Sequence, residues 1–225
     1  MRNLKYYIFI AVTFLSISVS AQFGVSLKGG GYIPVAEFTK NYNNGFGGEV
    51  IFIYRSNPKF EIGITTGYSH YGADEDVLKS ALLDAIQDDL DQINIDATID
   101  IEAPLNIYPL ALNIKYLFGN KKVKPYFFFE GGIFFYDLTI KGHIEIKNGP
   151  IIDIPEKVQK ENSTMLGIGG GMQFRLSKRL FFDVSAKWSI MNNVNLVEAD
   201  VNEELRGVDK TAQTIALLGG LSYYF

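Results

Sequence analysis

His70 and His143 are the only imidazoles in the chain, and so the only side chains whose ordinary pKa suits proton transfer near neutral pH. Ser69, Tyr71 and Asp74 lie close to His70, so a hydroxyl nucleophile with a neighbouring base can be written down. Acyl transfer of that kind would need these groups gathered around a lipid-sized cavity. No nucleophile elbow or comparable spacing is present. Both histidines are therefore expected to be exposed near strand ends, with no catalytic residue and no enzymatic activity. Two separated His and no Cys provide no metal-ligand spacing. Gly29-Gly30-Gly31 and Gly167-x-Gly169-Gly170-Gly171 lack the spacing, the Lys-Ser/Thr pair and the following helix of a phosphate-binding loop. Asp74–Glu102 holds ten acidic residues and one base, Lys79, but not the calcium-loop spacing with its central Gly. No metal or cofactor is implied, and a net charge of −4 gives no reason to expect nucleic acid.

A second set of groups is spaced by twos. Lys28, Glu49, Glu61, Lys115, Glu130, Arg175, Asp183 and Lys187 occupy the polar parity of alternating segments, four of each sign. Gly24, Gly30, Gly47, Gly63, Gly67, Gly132, Gly167, Gly169, Gly171 and Gly220 share that parity. A closed eight-stranded barrel has interior room for side chains but not for a broad channel, so large charged groups there need small neighbours. Strand rise puts Lys28 level with Glu49 and Glu61 level with Lys115. It sets Arg175 across from Asp183, with Glu130 between the Lys115 and Arg175 strands. The expected result is a charge-balanced, hydrogen-bonded lumen that blocks the axis while adding little net stability. In a soluble sandwich the same charges would form a solvated face.

Eight alternating segments must position these groups: about 23–33, 46–54, 60–71, 106–118, 125–146, 164–175, 180–190 and 214–225. Short links at 55–59, 119–124 and 176–179 alternate with longer ones at 34–45, 72–105, 147–163 and 191–211, the arrangement of short turns on one rim and long loops on the other, with Arg55, Lys59, Lys121, Lys122, Lys124, Lys178 and Arg179 expected on the short-turn rim. The complementary parity is apolar, with Val25, Leu27, Phe52, Ile62, Leu112, Phe127, Phe129, Leu166, Ile168, Phe182 and Val184. Tyr54, Tyr116 and Trp188 are candidate interfacial aromatics. The last strand alternates Ile215, Leu217, Gly219, Leu221, Tyr223 and Phe225 against smaller, more polar residues. About ten residues of that pattern can cross a bilayer as one stave of a barrel.

The start of the chain agrees. Arg2 and Lys5 precede an apolar run from Tyr6 to Val19, and Val19-Ser20-Ala21 supplies small residues before Gln22. Residues 1–21 are thus expected to be a cleaved signal peptide, which would take the net charge from −4 to −6. Thirteen Tyr, seventeen Phe and 22 Gly without a Cys suit an all-β product held by backbone closure rather than disulfides.

Segment 72–105 departs from the plain barrel pattern. Val77, Leu78, Ala81, Leu82, Ala85, Ile86, Leu90 and Ile93 form one helical stripe, so an amphipathic acidic helix is expected. From Ile93 to Ile107 the pattern alternates by twos; the apolar parity then changes to Tyr108, Leu110 and Leu112 near Pro104 and Pro109, where a switch or bulge is expected. Along the fifth segment the apolar parity passes from Phe127, Phe129, Ile133 and Phe135 to Tyr136, Leu138, Ile140, Ile144 and Ile146. Strands rising beyond the bilayer would produce this exchange, since their outside must become polar. The helix would cap the projecting core; a helix lying on the membrane surface is the competing account, though its polar face is acidic.

The leader, the eight segments and the ending Gly220-x-x-Tyr223-x-Phe225 resemble the small eight-stranded outer-membrane β-barrels, the class of OmpA-like and OmpX-like barrel domains. Gly29-Gly30-Gly31-Tyr32-Ile33-Pro34, with Tyr42-x-x-Gly45-Phe46-Gly47-Gly48, is similar to the first hairpin of the barrel domain common in Bacteroidota. The resemblance implies an antiparallel up-and-down transmembrane barrel over residues 22–225, in the outer membrane of a Gram-negative bacterium. It also implies outer-membrane lipid and the assembly machinery as partners, with Gly220, Tyr223 and Phe225 as the assembly signal. The function expected is a noncatalytic, occluded barrel displaying an extracellular cap for binding, adhesion or envelope integrity, with an extracellular ligand or protein as partner. The alternative is transport of a small hydrophobic molecule through an apolar extracellular cavity.

Overall fold

The computed structural model describes residues 22–74, 97–119, 122–146, 151–199 and 205–225. The alternating segments form nine strands: β1 Gln22–Val35, β2 Gly45–Asn57, β3 Phe60–Tyr71, β4 Ala97–Glu102, β5 Leu105–Leu117, β6 Val123–Ile146, β7 Ile151–Arg175, β8 Leu180–Ala199 and β9 Leu205–Tyr224. A short 3-10 segment, Ala36–Lys40, follows β1. Every pairing is antiparallel. Eight strands form a ring in the order β6-β5-β3-β2-β1-β9-β8-β7, closed by β6 against β7. The chain's first and last strands meet from Gly24↔Tyr224 to Val35↔Gln213. Closure leaves the membrane-facing wall without a free edge, the condition for crossing lipid with strands. The leader expected at 1–21 lies outside the described residues, as does nearly all of the expected helix, which falls on 75–96.

The links expected at 147–163 and 191–211 are not loops where they are described. β7 begins at Ile151, and β8 and β9 pair from Met191↔Ala212 up to Ala199↔Leu205. Backbone pairing of β7 with β6 and of β8 with β9 continues there, which keeps the chain laddered above the wall. The ninth strand, β4, has the same origin. β4 and β5 share one uninterrupted register on β6, from Ala97↔Ile146 to Leu117↔Tyr126. They are one strand broken at Ala103-Pro104, where Pro104 has no N–H but its carbonyl accepts from Thr139 N at 3.2 Å. Of the switch or bulge expected near Pro104 and Pro109, the structure has the switch: Leu105 and Ile107 are buried and Leu110 and Leu112 exposed, with the β5–β6 register continuous. Register shifts fall instead at Arg55/Asn57, Ile140/Gly142 and Met191/Val194.

Which residues face which way follows from the period. Phe127 and Leu166 are each 52 % exposed, and Leu27, Phe52, Ile64, Leu112, Ile168, Leu217 and Leu221 are exposed around the ring. Lys28, Glu49, Glu61, Lys115, Glu130, Asp183 and Lys187 are buried inside. An apolar outer belt on this scale suits lipid, not water. Aromatic pairs mark both edges of the belt. Phe23–Tyr54, Tyr116–Phe118 and Tyr223–Phe225 lie at the short-turn edge, with ring centroids 5.2–5.4 Å apart. Phe46–His70 and Tyr68–Tyr108 lie at the opposite edge, both at 5.4 Å. Among the described residues, no helix is long and apolar enough to cross a membrane.

Candidate functional site in the barrel interior

The lower interior, toward the short turns, is polar. Lys28 Nζ lies 2.6 Å from Asp183 Oδ1 and donates to the Tyr126 and Ser185 hydroxyls, each at 3.2 Å. Tyr126 donates to the same Asp183 oxygen at 2.5 Å. Lys115 Nζ sits between two acids, 3.4 Å from Glu61 Oε2 and 3.7 Å from Asp183 Oδ2, without a hydrogen bond to either. Arg55 Nε donates to Glu61 Oε1 at 2.8 Å, as does the Tyr224 hydroxyl. One level higher, Lys187 is paired with Glu49 and stands 3.0 Å from Glu130, which also accepts from Asn113 Nδ2 at 3.4 Å. Four cations and four carboxylates thus interlock across the axis.

One of the cations differs from the sequence expectation. Arg175 is exposed at the lower mouth and lies opposite Phe181, while Asp183 lies opposite Gln173. The turn sets this register, because Leu176 N and Ser177 N both donate to the Leu180 carbonyl. Arg55, expected on the short-turn rim, takes the fourth place and stacks with its guanidinium carbon 3.7 Å from the Tyr224 ring centre. Lys124, also expected on that rim, points inward and is buried. The signal was available: Arg55 shares the parity of Glu49, and Lys124 and Tyr126 share that of Glu130. Lys28 and Glu49 are register partners, yet the acid nearest Lys28 is Asp183 on another strand. Glu61 and Lys115 are both register partners and an ion pair.

Gly220 faces inward beside Lys28. A Cβ there would run into the Leu27 carbonyl and the Lys28 Cα, which are backbone and cannot rotate away. Tyr223 and Phe225 project outward, Phe225 being tied by its N–H to the Phe23 carbonyl at 2.9 Å.

The upper interior is apolar. Tyr32, Tyr71, Leu105, Ile107, Phe134, Tyr136, Leu138, Met165, Met191 and Leu218 form one buried cluster with Phe38 and Tyr42. Phe38 enters from the 3-10 segment and is fully buried. The chain turns inward at Ala36, whose φ of 57° is left-handed and costs a side-chain-bearing residue about 1 kcal/mol. Phe38 meets Tyr71 edge to face and Tyr42 at a tilt, with ring centroids 5.2 Å and 5.0 Å away. The Tyr42 hydroxyl is buried without a hydrogen bond, and burial drives its pKa well above the ordinary phenol value. Tyr32 joins the two levels by donating to Glu49 at 3.3 Å.

The histidines lie outside this column. His70 Nδ1 is 2.8 Å from Asn106 Oδ1, which also accepts from the Tyr68 hydroxyl. Ser69 points inward, on the opposite face from His70, so the two do not form a nucleophile–base pair. His143 lines a surface hollow of about 330 Å³ with Asp100, Lys141 and Asp153, beside the Lys141–Glu102 ion pair at 2.9 Å. No Ser, Thr or Cys lines it. Among the described residues no cluster of three His, Cys, Asp or Glu is placed to hold a metal ion.

The family described as putative MetA-pathway of phenol degradation matches residues 7–195. No curated protein matches. Among solved structures, Neisserial surface protein A aligns over 92 % of this chain and 99 % of its own, with 13 % identity and a TM-score of 0.53. The N-terminal barrel of Pseudomonas aeruginosa OprF aligns over 92 % and 100 %, at 14 % identity and TM-score 0.41. Ail, the attachment invasion locus protein of Yersinia pestis, aligns over 91 % and 97 %, at 12 % identity and TM-score 0.44. The fold is that of a small outer-membrane β-barrel.

Proposed function

This chain belongs to the family described as putative MetA-pathway of phenol degradation, and from that membership and its filled axis we propose that it is a noncatalytic, occluded barrel of the outer membrane. It is exported by a cleaved leader and assembled through its Gly220, Tyr223 and Phe225 ending. Its crown is built from β4 and the upper parts of β6 to β9, and it serves binding, adhesion or envelope integrity outside the cell. The observation that carries this reading is the column of side chains along the axis. Phe38 and its cluster fill the upper half, the ion network fills the lower half, and Tyr32 ties them together. Water-filled passage would need charged groups on at least five strands to part. In planar bilayers the purified wild type is expected to show no resolved conductance steps. Removing one acid by Glu130→Ala should produce intermittent openings. Steady, high conductance by the wild type would end the occluded reading.

A second reading rests on a different observation. The upper interior is aromatic, with the unpartnered Tyr42 hydroxyl buried at its top. Beside it, the β3–β5 ladder skips from Thr66↔Leu110 to Ser69↔Ile107, where Pro109 has no N–H to give. A small aromatic molecule admitted past Phe38 would have this seam as its sideways exit into lipid, in keeping with the family's description. This reading expects saturable phenol binding, measured by ligand-observed NMR on detergent-solubilised protein, and faster exchange in Phe38→Ala. No saturable binding by either form would discard transport.

A further inference from the structure

The interior carries more positive than negative charge, and the excess collects at one place. Phe181, buried at the lower mouth, is ringed by three cations: the Arg55 and Arg175 guanidinium carbons are each 5.6 Å from its centre and Lys124 Nζ is 5.9 Å away. Arg55 is committed to Glu61. Among the described residues, neither Lys124 nor Arg175 has an acid within ion-pair distance. Lys124 is only 3 % exposed and its ammonium has no acid in ion-pair contact, while Arg175 is exposed beside it. Both arginines bear electrostatically on Lys124, and Glu61 opposes them from beyond contact distance.

The surroundings offer no relief. The turns flanking this mouth, 56–59, 118–122 and 176–179, contain Lys59, Lys121, Lys122, Lys178 and Arg179 and not one Asp or Glu. A buried ammonium is costly when unpaired, and like charges around it add to the cost. A concave mouth lined by one sign of charge focuses its field on an incoming counter-ion. We propose that this mouth is a binding site for a phosphate group presented from the periplasmic side. Lys124 supplies a point charge at the base, and Arg175 supplies a planar fork at the rim, the pairing suited to a phosphate's several oxygens. The Phe181 ring forms the apolar floor between them. Two sources carry that chemistry: soluble phosphate and the headgroup of an inner-leaflet phospholipid.

The test is calorimetric titration of inorganic phosphate into the full-length barrel in nonionic detergent, with heat-dependent gel mobility reporting folding. One saturable site is expected in the wild type. Lys124→Met should weaken it by more than about tenfold, since it removes one member of a desolvated charge pair. Lys124→Arg, which keeps the charge, should retain most of the affinity, and Lys40→Gln, exposed at the opposite end of the barrel, should leave it unchanged. Arg175→Gln, at an exposed position, is expected to weaken binding with the fold intact. Absence of saturable binding by the wild type, or wild-type affinity in Lys124→Met or in Arg175→Gln, would overturn the site. The same titration in nanodiscs separates the sources. Weaker phosphate binding in phosphatidylcholine discs, whose headgroup carries the phosphate without net charge, than in nonionic detergent identifies the headgroup as occupant, and equal binding identifies soluble phosphate.

Discussion

Asp183→Leu is expected to destabilise the folded barrel by about 3–5 kcal/mol, the usual consequence of stripping the acid from buried cations. Asp183 is fully buried and touches three groups at once: Lys28 at 2.6 Å, Tyr126 at 2.5 Å and Lys115 at 3.7 Å. Its removal leaves Lys28 without an acid in ion-pair contact and leaves Lys115 with Glu61 alone. Tyr126 loses its acceptor as well. The penalty belongs to the orphaned partners, so removing them together should cost less. Lys28→Met combined with Asp183→Leu is expected to recover well over 1 kcal/mol relative to the sum of the single changes, because the two groups share one network. Urea unfolding in lipid vesicles, followed by tryptophan fluorescence from Trp188, provides both numbers. A loss below about 1 kcal/mol for the single variant would mean that solvent already screens the network, as at an exposed pair.

Gly220→Val is expected to prevent closure rather than merely weaken it. The seam between β1 and β9 is where the ring is sealed, and Gly220 lies opposite Lys28 in it. A side chain at Gly220 meets the backbone of β1, so relief requires moving a strand that is also laddered to β2. Overpacking in an ordinary core costs about 1–3 kcal/mol because neighbours can rotate; here no rotatable group is in the way. The variant should lack the compact, heat-sensitive band on unheated gels and should be degraded in cells. Gly219→Val, one residue away but on the open lipid face with nothing within 4 Å, should fold normally. Equal folding of both variants would show that the seam yields more readily than its geometry implies.

The barrel was legible because one face had to meet lipid. Phe127, Leu166, Ile168 and Leu221 could not be outside in water, and Lys28, Glu130 and Asp183 could not be outside in lipid, so period two alone separated inside from outside. Register was harder. A turn that differs by one or two residues slides every opposite number, and the Ser177 turn moved Asp183 from Arg175 to Gln173. Arg55 and Lys124 were misplaced for a related reason: proximity to a turn suggests a rim, whereas long side chains can lie along an aromatic floor and point inward. The upper strands read as loops because Lys157, Lys160, Asn162 and Ser163 carry little apolar alternation. The pairing of β6 with β7, shifted once at Ile140/Gly142, supplies the order that composition did not show. Phe38 had no periodic signature at all, since a single inward residue on a short segment leaves none.

The wall and the crown are held by different bonds. β7 and β8 pair as far as Met165↔Met191; above it β7 ladders to β6 and β8 to β9. The Asn192–Thr164 side-chain contact at 3.3 Å spans the point of parting. Two fingers therefore stand on a common ring, and spreading them breaks none of the ladder bonds formed by the described strands. The gap between them is thus set apart from the ladder that holds the staves in the lipid.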